Sequence, residues 1–354
     1  SDKHYHDYIP RTKNSAVFFI YIADLLLKSG GINSFIIPKS FIYSQGWRKS
    51  ADFAINSLHK LIDTGKAFEN VLLEQVIYIR NKKNASNCYL SGIYEKNKIV
   101  ETDWINKDTF KSYKVLLAGQ SSDELKLITK ITNNFTFYYS DFVTIQRGLN
   151  WQSKVAKNKG KTPVYRGAQL NQYYLEEATD FVNIDSFSKE SYQYQLQPKV
   201  LNQLALAHVK NPYPHFYLQA VYDDENRIVF ETIACTFPKR KELNLKFIVA
   251  LNNSKLFAWL LYKFIYANAI RSTRFDESYV GRLPCMNLQQ VNAVPFETLV
   301  NQIIEKKAKD EPTQDLENQI DLLVYKLYGL NYEEVKIIDP EIDKIISEAE
   351  YDRN

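Results

Sequence analysis

The stretch from Asp141 to Gln172 concentrates side chains suited to contact a polyanion. Between Arg147 and Arg166 every charged residue is a cation, and amides and an indole are interleaved with the cations. Guanidinium groups pair with guanine edges, carboxamides with adenine edges and ammonium groups with phosphate, so this composition suits a loop in the major groove of DNA. The candidate residues are Arg147, Asn150, Trp151, Lys154, Lys157, Lys159, Lys161, Arg166 and Gln169. A solvated basic loop between two strands has the same composition, so both interpretations stay open.

A second group of arginines follows a long apolar segment. Arg271, Arg274 and Arg282 lie within twelve residues of one another. We predict that Arg271 and Arg274 contact phosphate, whereas the lysines neutralise it in the first stretch and base edges are read there by Arg147, Asn150, Trp151, Arg166 and Gln169. The alternative is a cap at the carboxyl end of a helix, where cations are favoured.

Several sequence patterns resemble motifs of other chemistry, but their spacing or predicted secondary structure argues against each. Asn211-Pro-Tyr-Pro214 resembles the Asn-Pro-Pro-Tyr motif of amino methyltransferases, but its second proline is displaced. Asp321 with Glu334 and Lys336 follows the carboxylate–lysine pattern of metal-dependent nucleases, but these residues lie on predicted helices and not on strands that could hold magnesium. The five histidines have no partners at metal-ligand spacing, and there is no glycine-rich phosphate loop. We therefore predict no metal site.

Length, composition and charge restrict the class of protein. The 354 residues, 45% hydrophobic and 24% charged, are enough for two or three folded domains. No apolar run reaches the roughly 18 to 20 residues of a membrane span. Three distant cysteines favour a reduced chain in the cytoplasm. Residues 297–354 carry a net charge of −8 and the residues before them +12, so the body of the chain is basic and suits a polyanionic partner.

The first 84 residues alternate helix and strand. A helix is predicted from Ser15 to about Lys28, with Leu25 and Leu26 among its inward residues, followed by a buried strand over Ile32–Pro38. A helix over about 46–56 and strands over 58–63 and 71–80 follow. This order is typical of the second half of a doubly wound sheet.

The predicted secondary structure changes twice in the rest of the chain. Short strands separated by turn signals are predicted over residues 85–294, interrupted by a helix over 122–133 and closed by an apolar helical segment over 244–270. Single strands are expected over 136–145, 215–221 and 227–236. Residues 295–354 read as acidic helix. We therefore predict an α+β, multi-domain chain with domains at 1–84, 85–294 and 295–354.

These segments, taken in order, resemble a known family. "GGINSFIIPKSFI" and "IDTGKAFENVLLEQVIYI" are similar to the part of an adenine-N6 DNA methyltransferase that follows the Asn-Pro-Pro-Tyr motif, as in type IIG restriction-modification enzymes. "VTIQRGLNW", "PVYRGAQLNQYYL" and "LKFIVALNNSKLFAWLLYKF" resemble the TaqI-like target recognition domain. The resemblance implies a truncated Rossmann-like methyltransferase half-sheet, then a mostly β recognition domain, then a helical tail. It also implies that Phe68 packs against the adenine flipped from the duplex, although an ordinary core role is the alternative.

Departures from the family are equally informative. The sequence contains neither the Phe-x-Gly-x-Gly loop that holds S-adenosylmethionine nor the Asn-Pro-Pro-Tyr loop that holds the target amino group. In the family, both loops precede the region that this sequence resembles. A chain starting at Ser1 is therefore expected to be the C-terminal piece of a longer enzyme. We expect it to hold no catalytic residue, to bind no S-adenosylmethionine and to choose the sequence of double-stranded DNA for a parent enzyme whose N-terminal half is its partner.

Two alternatives stay open on the sequence alone. The chain could be a non-enzymatic specificity subunit or interaction protein that docks on separate methyltransferase and nuclease chains. It could also be an RNA-binding module whose tyrosines stack on single-stranded bases.

Overall fold

Five-stranded and four-stranded sheets with packed helices make up the fold. The structure, a computed structural model, describes residues 14–83, 85–157, 161–271 and 273–353. These fall into two units, one running up to Thr129 and including Tyr262–Arg271, the other containing Lys130–Leu261 and the residues after Arg271. The mixed α+β class predicted from the sequence is confirmed.

The elements are numbered in chain order. The helices are α1 (Ala16–Leu26), α2 (Arg48–Ile55), α3 (Asp108–Tyr113), α4 (Ser122–Asn134), α5 (Lys189–Tyr192), α6 (Leu245–Asn253), α7 (Lys255–Trp259), α8 (Glu277–Val280), α9 (Val294–Lys307), α10 (Gln314–Leu327), α11 (Tyr332–Ile338) and α12 (Glu348–Arg353), with a π-helix at Leu260–Ile265. The strands are β1 (Ile32–Pro38), β2 (Leu58–Gly65), β3 (Gln75–Asn81), β4 (Cys88–Glu95), β5 (Lys98–Asn106), β6 (Phe137–Tyr138), β7 (Val143–Arg147), β8 (Ala156–Lys157), β9 (Thr162–Tyr165), β10 (Asp180–Val182), β11 (Lys199–Gln203), β12 (Ala207–Val209), β13 (His215–Tyr217), β14 (Ala220–Asp223), β15 (Ile228–Val229), β16 (Ile233–Pro238) and β17 (Pro284–Cys285). No helix in the described part of the chain is long and apolar enough to cross a membrane.

The first unit is built on a sheet with the order β1-β3-β2-β4-β5. One face of this sheet is covered, because Arg80 of β3 lies over the ring of Phe53 in α2 at 4.5 Å and pairs with Asp24 of α1 at 3.1 Å. Tyr21 of α1 packs on the same ring. The predicted inward positions Leu25 and Leu26 are wrong: they are 73% and 79% exposed, because α1 turns a different side toward the sheet.

The opposite face of this sheet carries exposed apolar side chains. Ile36 pairs across the sheet with Ile77, which pairs with Ile62, so these three share a face. Further along the same face, Trp104 is 57% exposed. A cavity of about 490 Å³ opens here, lined by His59, Lys60, Ile62, Ile79, Ile99 and Glu101. This face therefore carries exposed apolar side chains together with the Lys60–Glu101 ion pair.

The second unit contains an antiparallel sheet with the order β14-β11-β16-β7 and a second four-stranded sheet, β15-β9-β10-β8. Helix α6 packs on the first of these, since the Asn252 amide donates to Asn202 of β11 at 2.8 Å. Helix α6 confirms the start of the apolar helical segment predicted over 244–270, and it packs on β11 and β14. The acidic tail also forms helices as predicted, and α9 and α10 pack on α6 and α7.

Three predicted strands are each broken in two. The strand expected over 136–145 is interrupted by a turn at Tyr139–Asp141, where the Asp141 carboxylate accepts a hydrogen bond from the Tyr138 backbone N–H at 2.8 Å. Those over 215–221 and 227–236 divide into β13 and β14 and into β15 and β16. In addition, β4 follows the predicted boundary at residue 84 but pairs with β2 of the first sheet. The proposed domain limits stay predictions.

Asp321 on α10 gives the second unit a pH-dependent stability. Its buried carboxylate accepts a hydrogen bond from the Lys255 backbone N–H at 2.8 Å. Burial, reinforced by Asp339 and Glu317, raises the pKa of Asp321 to about 7 despite the opposing effect of Lys255. Between the usual pKa and this value, the folded chain holds a proton that the unfolded chain has released, so stability falls as the pH rises.

We expect Asp321→Asn to remove this pH dependence. The wild-type protein should lose about 3 kcal/mol of unfolding free energy between pH 5 and pH 8 through this group. The variant keeps an oxygen acceptor for Lys255 and should be the more stable protein at pH 8. Urea unfolding at the two pH values checks this; parallel changes in both proteins would contradict it.

Candidate nucleic-acid interface

Arg147 ends the edge strand β7 and is half exposed. Its guanidinium pairs with Asp276 at 2.8 Å, and its carbonyl accepts a hydrogen bond from the Tyr194 hydroxyl at 2.9 Å. Asp276 in turn caps α8 by accepting from the Ser278 backbone N–H and hydroxyl. Although burial opposes the effect, hydrogen bonds from Arg147 and Ser278 hold the pKa of Asp276 below its usual value. The guanidinium is therefore held in place by an ionised carboxylate.

The chain after Arg147 is locked to the segment between β15 and β16. The backbone N–H groups of Gly148 and Leu149 donate to the carbonyls of Ile233 and Val229, each at 2.9 Å. A Cβ atom added to Gly148 would overlap the carbonyl oxygen of Phe230. Only glycine allows the two backbones to approach this closely.

The basic loop that follows presents mostly solvent-exposed side chains. Asn150, Lys154 and Lys161 are exposed, whereas Trp151 is partly buried by stacking on Phe187 with 3.5 Å between ring centroids. Lys157 lies in β8, and Lys159 lies outside the described residues. The exposed cations can reach phosphate, and the indole anchors the start of the loop.

Arg166 and Gln169 form the second predicted contact segment. The Arg166 guanidinium pairs with Asp180 and lies over the Phe230 ring at 4.7 Å. Gln169 is buried: its side chain accepts from the Arg166 backbone N–H at 2.9 Å and donates to Thr179 at 3.2 Å. Arg166 is part exposed, so the structure places a guanidinium at the surface and an amide beneath it that shapes the turn. Base reading by Gln169 stays a prediction.

Residues that the sequence analysis missed lie between these two segments. Thr232 accepts a hydrogen bond from the Gly167 backbone N–H at 3.0 Å, and Glu231 accepts one from the Gln152 amide at 3.3 Å. Gln203 packs its amide against Gly167. Glu231, Thr232 and Gln203 lie outside the 141–172 stretch of sequence, and only tertiary structure brings them to it. Neither a carboxylate nor a residue so distant in sequence carries the signal of cations and amides by which that stretch was recognised.

The remaining predicted contacts divide between the units. Arg271 belongs to the first unit and is exposed. Arg274 belongs to the second, where its backbone forms a bridge with Ala205. The structure therefore does not bring the two arginines into one unit, and their phosphate contacts stay predictions.

Phe68 lies in the loop between β2 and β3 and is 50% exposed. Its neighbours Leu72 and Leu73 are also exposed. The loop is anchored where the Gln75 side chain accepts from the Ala67 backbone N–H at 2.9 Å. Phe68 is therefore no ordinary core residue. Its packing against a flipped adenine stays a prediction.

No group of three histidine, cysteine or acidic residues within the described ranges could hold a metal ion. Asp321 and Lys336 lie on helices, as predicted from the sequence. The Glu334 carboxylate is instead paired with Lys130 at 2.5 Å.

Solved structures of restriction-modification proteins resemble this chain. No curated protein sequence matches the chain. Among solved structures, it is similar to the type IIL restriction-modification enzyme MmeI in complex with DNA, with a TM-score of 0.55, 11% identity and coverage of 93% of this chain and 51% of that one. This similarity establishes a shared fold.

Two further solved structures are similar at lower TM-scores. The type IIG restriction endonuclease BpuSI has a TM-score of 0.36 and 12% identity over 88% of this chain and 49% of its own. The HsdS subunit from Thermoanaerobacter tengcongensis has a TM-score of 0.26 and 15% identity over 58% of this chain and 51% of its own. The chain spans about half the length of MmeI. Residues 162–285, which include Arg166, Gln169 and Glu231, match the family model of the TaqI-like C-terminal specificity domain, the family that this part of the chain resembles in sequence.

Proposed function

We propose that this chain recognises a specific sequence in double-stranded DNA on behalf of a site-specific adenine-N6 DNA methyltransferase or restriction-modification enzyme, of which it is the C-terminal part. Its action would be cytoplasmic, in keeping with three cysteines that are free thiols.

One observation carries the proposal. Segment 229–233, which contains Glu231 and Thr232, is hydrogen-bonded both to the residues that follow Arg147 and to Gly167, which follows Arg166. Each arginine pairs with a carboxylate, and Arg166 and segment 229–233 lie in the part of the chain that matches the TaqI-like family model. Fixed hydrogen-bonding side chains are what direct reading of base edges requires, and the exposed lysines of the adjoining loop supply phosphate contacts. Specificity would come from the fixed groups and affinity from the lysines.

The methyltransferase part of the proposal concerns the first unit. We infer that strands β1, β2 and β3, within residues 1–84, belong to the second half of a Rossmann-like methyltransferase sheet, whose first half binds S-adenosylmethionine and supplies the catalytic loop. Supporting this, α1 exposes Leu25 and Leu26, and an apolar sheet face is exposed, as expected where further strands and helices would pack. Phe68, exposed on its loop, would then face the flipped adenine.

Selection from a randomised duplex library at moderate salt tests the proposal. We expect an enriched motif that contains an adenine, and an affinity for it that decreases with salt. Excess single-stranded RNA should not compete. Absence of binding at low salt would overturn the proposal in favour of a protein-docking role, and preferential RNA binding would favour an RNA-binding module.

Arg147→Ala and Arg166→Ala should each weaken binding to the selected duplex by about 1 to 3 kcal/mol, because each removes a guanidinium that contacts a base edge. Arg166→Ala also leaves the buried carboxylate of Asp180 without its partner, so melting temperatures must be compared. Arg240→Ala is the matched control, since this exposed arginine follows the opposite end of β16. Equal affinities for all four proteins in a fluorescence anisotropy titration would remove both arginines from the interface.

A further inference from the structure

Glu231 occupies a fixed position between the two arginine-bearing segments. Its backbone N–H donates to the Leu149 carbonyl at 3.1 Å, and the preceding Phe230 donates to the Tyr165 carbonyl at 2.9 Å. The following residue, Thr232, accepts from Gly167 at 3.0 Å. Because the backbone is tied on both sides, the Glu231 side chain leaves the chain from a fixed position between the segments that carry Arg147 and Arg166.

The carboxylate of Glu231 is less fully hydrogen-bonded than those of Asp276 and Asp180. Asp276 uses both oxygens, one for Arg147 and one for Ser278, and Asp180 is buried and pairs with Arg166. Within the described ranges, Glu231 forms no ion pair, and its side chain accepts from the neutral Gln152 amide at 3.3 Å. Glu231 thus retains acceptor capacity at a partly exposed position.

A carboxylate on a DNA-contacting surface repels phosphate, so it weakens affinity unless it makes a contact that only an acceptor can make. In the major groove, the base-edge donors are the exocyclic amino groups of cytosine and adenine. Guanine and thymine present oxygen acceptors at the corresponding positions, which an ionised carboxylate repels. Gln152, by donating to Glu231, orients the carboxylate and leaves its own amide oxygen as a second acceptor.

We propose that Glu231, oriented by Gln152, accepts a hydrogen bond from the exocyclic amino group of a cytosine or adenine and thereby specifies one base pair of the recognised sequence. This inference rests on the proposed function, and it adds a specificity-determining residue of a class that the basic loop lacks.

The test repeats the duplex selection with Glu231→Gln. The glutamine keeps the size of the side chain but can donate as well as accept, so we expect the preference for an amino-bearing base at one position to fall by about tenfold or more, with the other positions unchanged. Glu242→Gln is the matched control: it removes the same charge from an exposed residue after the opposite end of β16 and should leave the motif unchanged.

A second measurement assigns the contact to the base. At the affected position, the cytosine or adenine is replaced by an analogue that lacks only the amino group. The wild-type protein should lose about tenfold in affinity and Glu231→Gln much less. If Glu231→Gln selects the same motif with the same preferences, the assignment of Glu231 is overturned while the proposed function stands. If the wild-type protein selects no motif, the proposed function itself fails.

Discussion

Replacing Lys199 by methionine should destabilise the second unit by about 3 kcal/mol or more, because it leaves a buried carboxylate without its main cationic partner. Lys199 and Asp223 face each other on β11 and β14, both fully buried, with 2.5 Å between Nζ and Oδ2. Arg227 also contacts Asp223, so part of the compensation remains and the loss should lie near the lower end of the usual range. Urea unfolding at neutral pH measures the change.

The same substitution at an exposed ion pair provides the control. Lys126 pairs with Asp123 on α4 in full contact with solvent, so Lys126→Met should leave the melting temperature unchanged. A stability of Lys199→Met equal to that of the wild type would show that Arg227 alone compensates Asp223.

The Lys199 substitution should also disturb the position of the loop that follows Arg147 in the proposed interface. The Lys199 ammonium donates to the Gln195 carbonyl at 2.7 Å, and the Gln195 side chain holds both the N–H and the carbonyl of Val229. Val229 accepts from Leu149, which follows Arg147 and Gly148. We therefore expect Lys199 to position the loop indirectly, through Gln195 and Val229.

Gly148→Ala should cost about 3 kcal/mol or more and should abolish sequence-specific DNA binding in the protein that remains folded. The added methyl group would overlap backbone atoms of Phe230 and Val229, which cannot rotate away as a flexible side chain would. Relief requires the 148–149 and 229–233 segments to separate, and this would break the hydrogen bonds that place Arg147 and Glu231 together. Unfolding and DNA titration of the same sample measure both effects.

Gly65→Ala is the control for Gly148→Ala, because it introduces backbone strain without steric overlap. Gly65 has a φ of +54°, but a Cβ there would meet no atom within 4 Å, so the expected loss is only about 1 to 2 kcal/mol. A Gly148→Ala variant with wild-type stability and specificity would show that the two segments can move apart without functional loss.

Local sequence patterns predicted those elements whose stabilising contacts are local. The helix at Ser122–Asn134 has acidic residues in its first turn and a regular apolar stripe, and it forms as predicted. Strand Ile32–Pro38 forms between the predicted limits, but the prediction that it is buried is wrong: Ile32 and Ile36 are 61% and 42% exposed, because this strand lies at the edge of the sheet and one of its faces is uncovered. Pairing between strands distant in sequence was not accessible in this way, so the parallel alignment of β4 with β2 across residue 84 could not be anticipated.

The candidate interface was predictable to the extent that its chemistry is concentrated in one stretch. Arg147 and Arg166 stand at the surface, whereas Gln169 has the right side chain for base reading but is buried beneath Arg166. The identity of residue 169 as glutamine did not predict its burial, because the burial results from its hydrogen bond to Thr179 and from the turn at Gly167–Gln169. Glu231 lies more than sixty residues from Arg166 in sequence and is adjacent to it only after folding.

The exposed apolar face of the first sheet also bears on the colloidal behaviour of this chain. Ile32 and Ile36 project from the edge strand β1, and Leu25 and Leu26 of the neighbouring helix are exposed beside it. An edge strand flanked by apolar surface is a template for pairing with another chain. We therefore expect concentrated solutions of the isolated chain to associate reversibly through this edge, and added salt should not reverse the association because apolar contacts and backbone hydrogen bonds hold it.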